Sequence, residues 1–277
     1  MEKIRISVGK VPITAGVCCP HEAPRGVSWS LAPLRKSLRN TDRFLLAGLY
    51  QPFADLSVRY AYAPHVAPSS ARITDACEFE QRIQLSGDIF LHVGKMEPAD
   101  GVILGKGHAF AMSGLGCPVI IGASRNPEAP IVVAHAGRDS LIDRGAVMGE
   151  PTRLYPSVVG AVAKALFEMG AEPAEIRLHM LFSIPVQAFE HPIDHPVHGE
   201  FNKKLFEFVS TLWPGSAERH QKSVYLDLEA LFKAQAKEIG ITATVSHSAD
   251  SIPGFAFPLN STVPRNGERN LIVVKHG

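Results

Sequence analysis

The sequence predicts an α+β fold: a mixed β-sheet sandwich flanked by helices. Segments patterned like strands interleave with segments patterned like helices. Several neighbouring strand segments have no helix between them, which argues against a purely parallel repeat. Of the 277 residues, 45% are apolar, enough for a large core, and no internal repeat, low-complexity tract or linker divides them. Residues 1–277 therefore read as a single domain.

In chain order, residues 4–8 read as a first strand, and residues 11–28, with Pro12, Gly16, Pro20, Pro24 and Gly26, as irregular. Ser30 is placed to cap a short helix through Arg39, with Pro33 in its first turn. Residues 44–49 form an apolar run that reads as a buried strand, and residues 56–63 alternate like a half-exposed one. Residues 82–93 read as one long strand or two with a bulge at Gly87. Residues 101–104 are short and apolar. Residues 107–116, rich in glycine and small residues, read as a flexible approach to Cys117. Residues 136–151 read as a loop. Helices are expected over 156–169, with Pro156 in its first turn and a stop at Gly170, over 201–212, and over 225–239, capped by Asp227. Strands are expected over 176–182, 241–246 and 271–275.

Net charge is +1, with acids and bases interspersed, so neither nucleic acid nor an anionic membrane is an expected partner. The first residues, Met1-Glu2-Lys3-Ile4-Arg5-Ile6-Ser7, lack the apolar core of a signal peptide. The most apolar run, residues 109–123, is shorter than the roughly 18–20 residues of a membrane span. The expectation is a soluble cytoplasmic protein. Its four cysteines, Cys18, Cys19, Cys77 and Cys117, form no Cys-x-x-Cys pair and are expected to be reduced. Cys18, Cys19 and Cys77 read as small packing residues.

Cys117 and His135 stand apart. Two short apolar β-branched runs, residues 117–122 and 131–135, flank the loop Ser124-Arg125-Asn126-Pro127-Glu128-Ala129-Pro130 and read as a hairpin. A loop centred on Asn126 sets Cys117 directly across from His135, on the same face. Opposed β-carbons lie about 4.5–5.5 Å apart, close enough for a thiol–imidazole hydrogen bond or a shared metal.

Six motifs in fixed order carry a resemblance: Ala99-Asp100-Gly101, Gly116-Cys117-Pro118-Val119, His135-Ala136-Gly137, Tyr225-Leu226-Asp227-Leu228, Gly254-Phe255-Ala256-Phe257 and Gly267-Glu268-Arg269. Over roughly its last two-thirds the chain resembles the bacterial laccase-domain proteins, also called multicopper polyphenol oxidases or purine nucleoside phosphorylases. The resemblance implies zinc held by Cys117, His135 and a third, upstream ligand, where this chain has Ser86 in Gln84-Leu85-Ser86-Gly87. It implies a nucleoside-like small-molecule substrate. The fold is shared with cytotoxic-necrotizing-factor-like cysteine deamidases, whose Leu-x-Gly-Cys signature is similar to Gly114-Leu115-Gly116-Cys117. In those enzymes an oxygen from an upstream strand orients the histidine, a role that falls to Ser86.

The thiol chemistry needs no cofactor. Cys117 would be the nucleophile, His135 the base and Ser86 the orienter. Arg138 would add positive potential, and backbone N–H groups near Gly116 would form an oxyanion hole. A catalytic zinc needs three protein ligands. Cys117 and His135 supply two, His108 is the candidate third, and His92 lies too far from the Ser86 position. No His-x-His pair supports multicopper chemistry. Residues 190–200, with His191, His195 and His198, read as a solvated loop, since Pro192 and Pro196 oppose a helix; a metal site or substrate lid are the alternatives. Arg265 and Arg269 are candidates for binding an anionic group.

The leading expectation is a Cys–His hydrolase or deamidase acting on a C–N bond of an amide or nucleoside-like substrate. One alternative is a zinc-dependent purine nucleoside phosphorylase or adenosine deaminase. Another is a non-catalytic binding protein, with Cys117 and His135 as an ordinary core thiol and a hydrogen-bonded histidine.

Overall fold

The computed structural model describes residues 1–23, 28–31, 34, 42–66, 70–79, 81–94, 98–150, 152–256 and 269–277. Strands β1 (Glu2–Val8) and β2 (Val11–Cys18) precede helix α1 (Asp42–Asp55). Then come β3 (Tyr60–Ala63), β4 (Ile73–Asp75), β5 (Gln81–Ser86), β6 (Ile89–Val93), β7 (Gly101–Leu104), β8 (His108–Gly114), β9 (Val119–Ala123) and β10 (Ile131–His135). Helices α2 (Arg138–Leu141), α3 (Arg144–Met148) and α4 (Val158–Glu168) lead to β11 (Arg177–Ser183) and β12 (Glu190–Pro192). The chain continues through α5 (Gly199–Leu212), β13 (Ala217–His220), β14 (Ser223–Leu226), α6 (Leu228–Glu238), β15 (Thr242–Ser248) and β16 (Asn270–His276).

The strands form a seven-stranded sheet, β1-β2-β16-β8-β3-β6-β5, a six-stranded sheet, β15-β11-β9-β10-β7-β4, and a small three-stranded one, β12-β14-β13. The two large sheets face each other. Val11, Ile13, Phe110, Met112 and Ile272 of the first pack with Val102, Val119, Ile121 and Val133 of the second. The outer face of the seven-stranded sheet is covered by Leu45, Leu49 and Phe53 of α1. The outer face of the six-stranded sheet is covered by Val159, Val162 and Leu166 of α4 and by Leu231 and Phe232 of α6. This four-layer stack is the expected sandwich flanked by helices. Strands β9 and β10 are buried on both faces, which is why they read as unbroken apolar runs.

Several local expectations give way. Residues 44–49 belong to α1: Leu45, Leu49 and Phe53 recur every four residues and are buried. A short apolar run fits strand and helix equally, and this spacing decides. Residues 11–18 are β2, because Pro12 sits beside the turn at Gly9 and exposes its ring. Only residues 60–63 of the expected 56–63 strand are extended, while Leu56 and Val58 pack beneath α1. Residues 82–93 are two strands of a hairpin turning at Gly87, with a register shift between Gln84 and Ser86. The approach to Cys117 is strand β8, not a flexible loop. The 136–151 loop contains α2 and α3. Tyr225 and Leu226 end β14, and α6 starts after its cap, Asp227, whose Oδ1 accepts from the Ala230 N–H at 2.9 Å. Ser157 rather than Pro156 opens α4. The helix expected after Ser30 lies almost wholly outside the described residues.

Packing beside β10 is tight at Gly101. A β-carbon there would lie 2.7 Å from the Val133 carbonyl oxygen and 2.6 Å from the Ala134 β-carbon. Gly101→Ala is expected to destabilise the fold by about 1–3 kcal/mol, through overpacking that separates β7 from β10. Urea unfolding checks this, and a midpoint equal to that of the unsubstituted chain would contradict it.

Candidate active site

His135 ends β10 and pairs with Val119, the first residue of β9. The hairpin is thus shifted by two residues from the expected register, because the turn is built over Asn126–Ala129, closed by the Ala129 N–H on the Asn126 carbonyl at 3.2 Å. A two-residue shift keeps parity. Cys117 is therefore diagonal to His135 rather than opposite, on the same face, and its sulfur approaches the imidazole closely enough to raise the ring's pKa. Gly137 closes the third side. A β-carbon on it would lie 2.8 Å from His135 Nε2 and 3.4 Å from Cys117 Sγ. The thiol is half-buried, while His135 is only 4% exposed.

The other face of the imidazole meets a carboxylate. Strand β7 pairs antiparallel with β10, Gly101 against Ala134, which brings Asp100 beside His135. The His135 N–H donates to the Asp100 carbonyl at 2.8 Å, fixing the backbones. Asp100 Oδ1 is 3.2 Å from His135 Nδ1. Ser140 Oγ donates to the same carboxylate oxygen at 3.0 Å and lies 3.0 Å from Nδ1. Asp100 Oδ2 accepts from the Ala71 N–H at 2.7 Å and from Ser70 Oγ at 3.2 Å. Asp100 and Ser140 are completely buried. With Nδ1–H donated to Asp100, Nε2 is left to face the thiol, so thiol, imidazole and carboxylate form a relay.

Burial pushes the His135 pKa down, but the charge of Cys117 and the hydrogen bond to Asp100 outweigh it and raise the value to about 10. A protonated imidazole beside a sulfur is the setting that holds a reactive thiolate.

The other expected residues are distributed as follows. Ser86 is exposed at the end of edge strand β5. It pairs with Ile89, beside Phe90, which is level with Tyr60 and His108 across the sheet. Cys117 lies at the opposite end of that sheet, near Gly114, whose added β-carbon would be 4.0 Å from the Cys117 β-carbon. Ser86 is not the orienter; Asp100 and Ser140 hold that position. His108 starts β8, six residues from Gly114, so about 20 Å of strand separates it from the thiol. It is not a third ligand, and its ring packs against Tyr60 and Tyr62. Gly116 is buried beside Cys117 with φ 81°, a conformation that favours glycine. Arg138 follows Gly137 directly; it is paired with Asp139 at 2.6 Å and stacked over the Phe201 ring at 5.1 Å. Arg269 precedes Asn270, which pairs with Gly114, and so reaches the Cys117 end of the sheet. Arg265 lies outside the described residues.

His191 is buried in β12, its Nδ1 donating to the Phe189 carbonyl at 3.0 Å. Burial and the nearby Arg138 charge hold it neutral, with a pKa of about 3. His195 Nδ1 accepts from the N–H groups of Val197 and His198 at 3.2 and 3.1 Å, folding the turn that leads into α5. The segment expected to be a solvated loop is thus strand β12, a turn over residues 193–198 and the start of α5.

The zinc implied by the resemblance finds two converging donors, Cys117 and His135. Among the described residues no group of three His, Cys, Asp or Glu side chains could hold a metal ion. His65 lies at the Cys117 end, its carbonyl accepting from the Ala99 N–H at 2.9 Å, but it does not complete such a group. The arrangement does not fit a three-ligand zinc.

No protein-family model and no curated protein matches the chain in sequence. Solved structures do match it. The Bacillus licheniformis hypothetical protein YfiH superposes with a TM-score of 0.63 over 96% of this chain and 93% of that one, at 13% identity. The Neisseria meningitidis protein NMB0706, a DUF152 protein, gives 0.60 over 99% and 98%, at 15% identity. YlmD from Geobacillus stearothermophilus gives 0.62 over 95% and 92%, also at 15% identity. The chain has the YfiH fold. The laccase-domain architecture implied by its motifs is thus the one observed, and the YfiH fold spans essentially the whole chain rather than its last two-thirds.

Two predictions follow from this geometry. Cys117→Ala and Asp100→Asn should each lower the His135 pKa from about 10, because each removes a negative partner. NMR titration of the imidazole reads this, and an unmoved titration in both variants would contradict it. In the folded chain His135 holds its proton above the ordinary value of 6.5, so its contribution to stability is complete below that pH and is lost as pH rises toward about 10. Separately, Gly137→Ala should slow Cys117 alkylation by iodoacetamide at least about tenfold, as a methyl group there displaces the imidazole from the sulfur. Intact-mass kinetics measure the rate.

Proposed function

We propose that the chain is a thiol-dependent hydrolase or deamidase that cleaves a C–N bond in an amide or nucleoside-like small molecule. The observation that supports it is one imidazole joined through Nδ1 to a buried carboxylate and through its other face to a half-buried thiol. Nucleophile, base and orienter are thereby in the order that thiol acyl transfer uses.

In this reading the Cys117 thiolate attacks the substrate's carbonyl carbon. The tetrahedral oxyanion is met by the N–H of Cys117, presented after the turn at Gly116. The His135 imidazolium gives its Nε2 proton to the departing nitrogen, which leaves as ammonia or an amine. Neutral His135 then takes a proton from water as the hydroxide oxygen attacks the thioester. The acid product leaves and the thiol is restored. Asp100 keeps the imidazole in the required tautomer throughout, and Ser140 limits its rotation. Arg138 and Arg269, at the rim, would bind an anionic part of the substrate. The chemistry requires no metal and suits a reducing, cytoplasmic setting.

Turnover of a panel of small amides and nucleosides, read by ammonia release, is the test. Cys117→Ala should abolish activity, and Asp100→Asn should lower kcat by about 10²–10⁴-fold with the fold intact. Full turnover by Cys117→Ala would overturn the reading. Metal analysis of protein purified without chelator should find well under one zinc per chain. Stoichiometric zinc would favour the phosphorylase or adenosine deaminase alternative. Absence of any turnover, with Cys117 no more reactive than a free thiol, would favour a binding protein.

A further inference from the structure

A cavity of about 420 Å³ opens between α4 and the edge of the six-stranded sheet. Its size is that of a small organic ligand. Its described lining contains neither Cys117 nor His135, so it is separate from the thiol site. The walls are of two kinds. Ile73, Ile103 and the ring of Tyr155 make an apolar slot, while Arg72, Lys164 and Glu168 stand around it. The two cations outnumber the one lining carboxylate. Arg72 is partnered by Glu78 and Lys164 by Glu168 at 3.0 Å, both pairs well exposed and therefore weak and exchangeable. A planar body with one acidic group suits this slot, lying between Ile73, Ile103 and Tyr155, over whose ring Lys164 Nζ stands at 5.5 Å, and exchanging carboxylates at Arg72, whose guanidinium fork suits them.

The cavity also touches the thiol site's hidden end. Ser70 lines it and donates its hydroxyl proton to Asp100 Oδ2 at 3.2 Å. The loop carrying Tyr155 is tied to the same region: Arg153 donates to the carbonyls of Tyr155, Asp139 and Ser140 at 2.7, 2.6 and 2.7 Å. Ser70 has one proton to give. An anion in the cavity competes for it with Asp100. If the anion wins, Asp100 has one donor fewer, and its remaining hydrogen bonds, including that to His135, strengthen.

We propose that this cavity is an effector site for a small aromatic acid, which acts on His135 by drawing the Ser70 hydroxyl away from Asp100. The proposal rests on the observed Asp100–His135 contact and not on turnover by Cys117.

Calorimetric titration of the full chain with indole-3-acetate and with tryptophol, its neutral alcohol counterpart, tests the binding. The acid should bind at least about tenfold more tightly than the alcohol, as expected for a charge-assisted contact. The exposed double variant Arg72→Gln/Lys164→Gln should erase that difference. Ala161→Phe, which fills the slot, should weaken both ligands at least about tenfold. Proton NMR of the hydrogen-bonded His135 Nδ1–H reads the coupling. Indole-3-acetate should move this resonance downfield, Ser70→Ala should move it the same way without ligand, and the acid should then add no further shift. No saturable binding, equal binding of acid and alcohol, or saturation that leaves the His135 resonance in place would each overturn the proposal. Loss of the thiol-hydrolase reading would show instead in the turnover of Cys117→Ala, and would leave these measurements as they are.

Discussion

A carboxylate with no exposed surface must have its oxygens satisfied from within the fold, and the site is organised around the hydrogen bonds that Asp100 accepts. Four donors reach its two oxygens: His135 Nδ1, Ser140 Oγ, the Ala71 N–H and Ser70 Oγ. Arg153, half-buried and pinned to four carbonyls, adds a positive charge nearby. Removing any one of these would leave a buried charge partly unpaired, which typically costs more than the hydrogen bond itself contributes. The elements that supply them, α2, β7, β10 and the segments before β4 and α4, are therefore locked to one another through a single side chain.

The sheet makes this convergence possible. Antiparallel pairing of β7 with β10 puts Asp100 beside His135, and pairing of β10 with β9 brings Cys117 to the same strand end. All three act at the margin of the six-stranded sheet, where the chain leaves regular structure and side chains can turn toward one another. Two glycines permit the approach. Gly101 lets β7 lie against β10, and Gly137 leaves open the space where thiol and imidazole meet. Larger residues at either place would disturb the contact on which the proposed chemistry depends.

The legible part of the sequence was what depends on local pattern. The doubly buried runs at β9 and β10, the Asp227 cap of α6, the Gly170 stop of α4, and the absence of helices between successive strands led to the right architecture. The closeness of Cys117 to His135 was legible because a short hairpin carries its own register, although the turn's centre was misplaced by one position. Asp100 was visible in the Ala99-Asp100-Gly101 motif but had no assigned role. Its place beside His135 follows from the pairing of β7 with β10, across some thirty residues, and no local pattern announces that pairing. Ser86 and His108 failed for the same reason. Each was matched by motif or chain proximity, while strand direction carries both to the far end of the other sheet. Residues 44–49 failed differently, since a six-residue apolar run satisfies both periodicities until α1's next turn is counted.

The relay is also poorly explained by stability alone. A buried ion pair is often no better than well-packed hydrocarbon of the same volume, and the His135–Asp100 pair needs Ser70, Ser140 and Arg153 to be tolerated at all. A fold needing only a plug at this sheet end would be served as well by the aliphatic residues that fill the rest of β9 and β10. What the charged arrangement supplies and an apolar plug cannot is an imidazole of fixed tautomer, held proton-rich against a thiol that solvent can reach. That combination is what the proposed chemistry at sulfur would use, and both the hydrogen bonding of the buried carboxylate and the half-exposure of Cys117 favour that proposal.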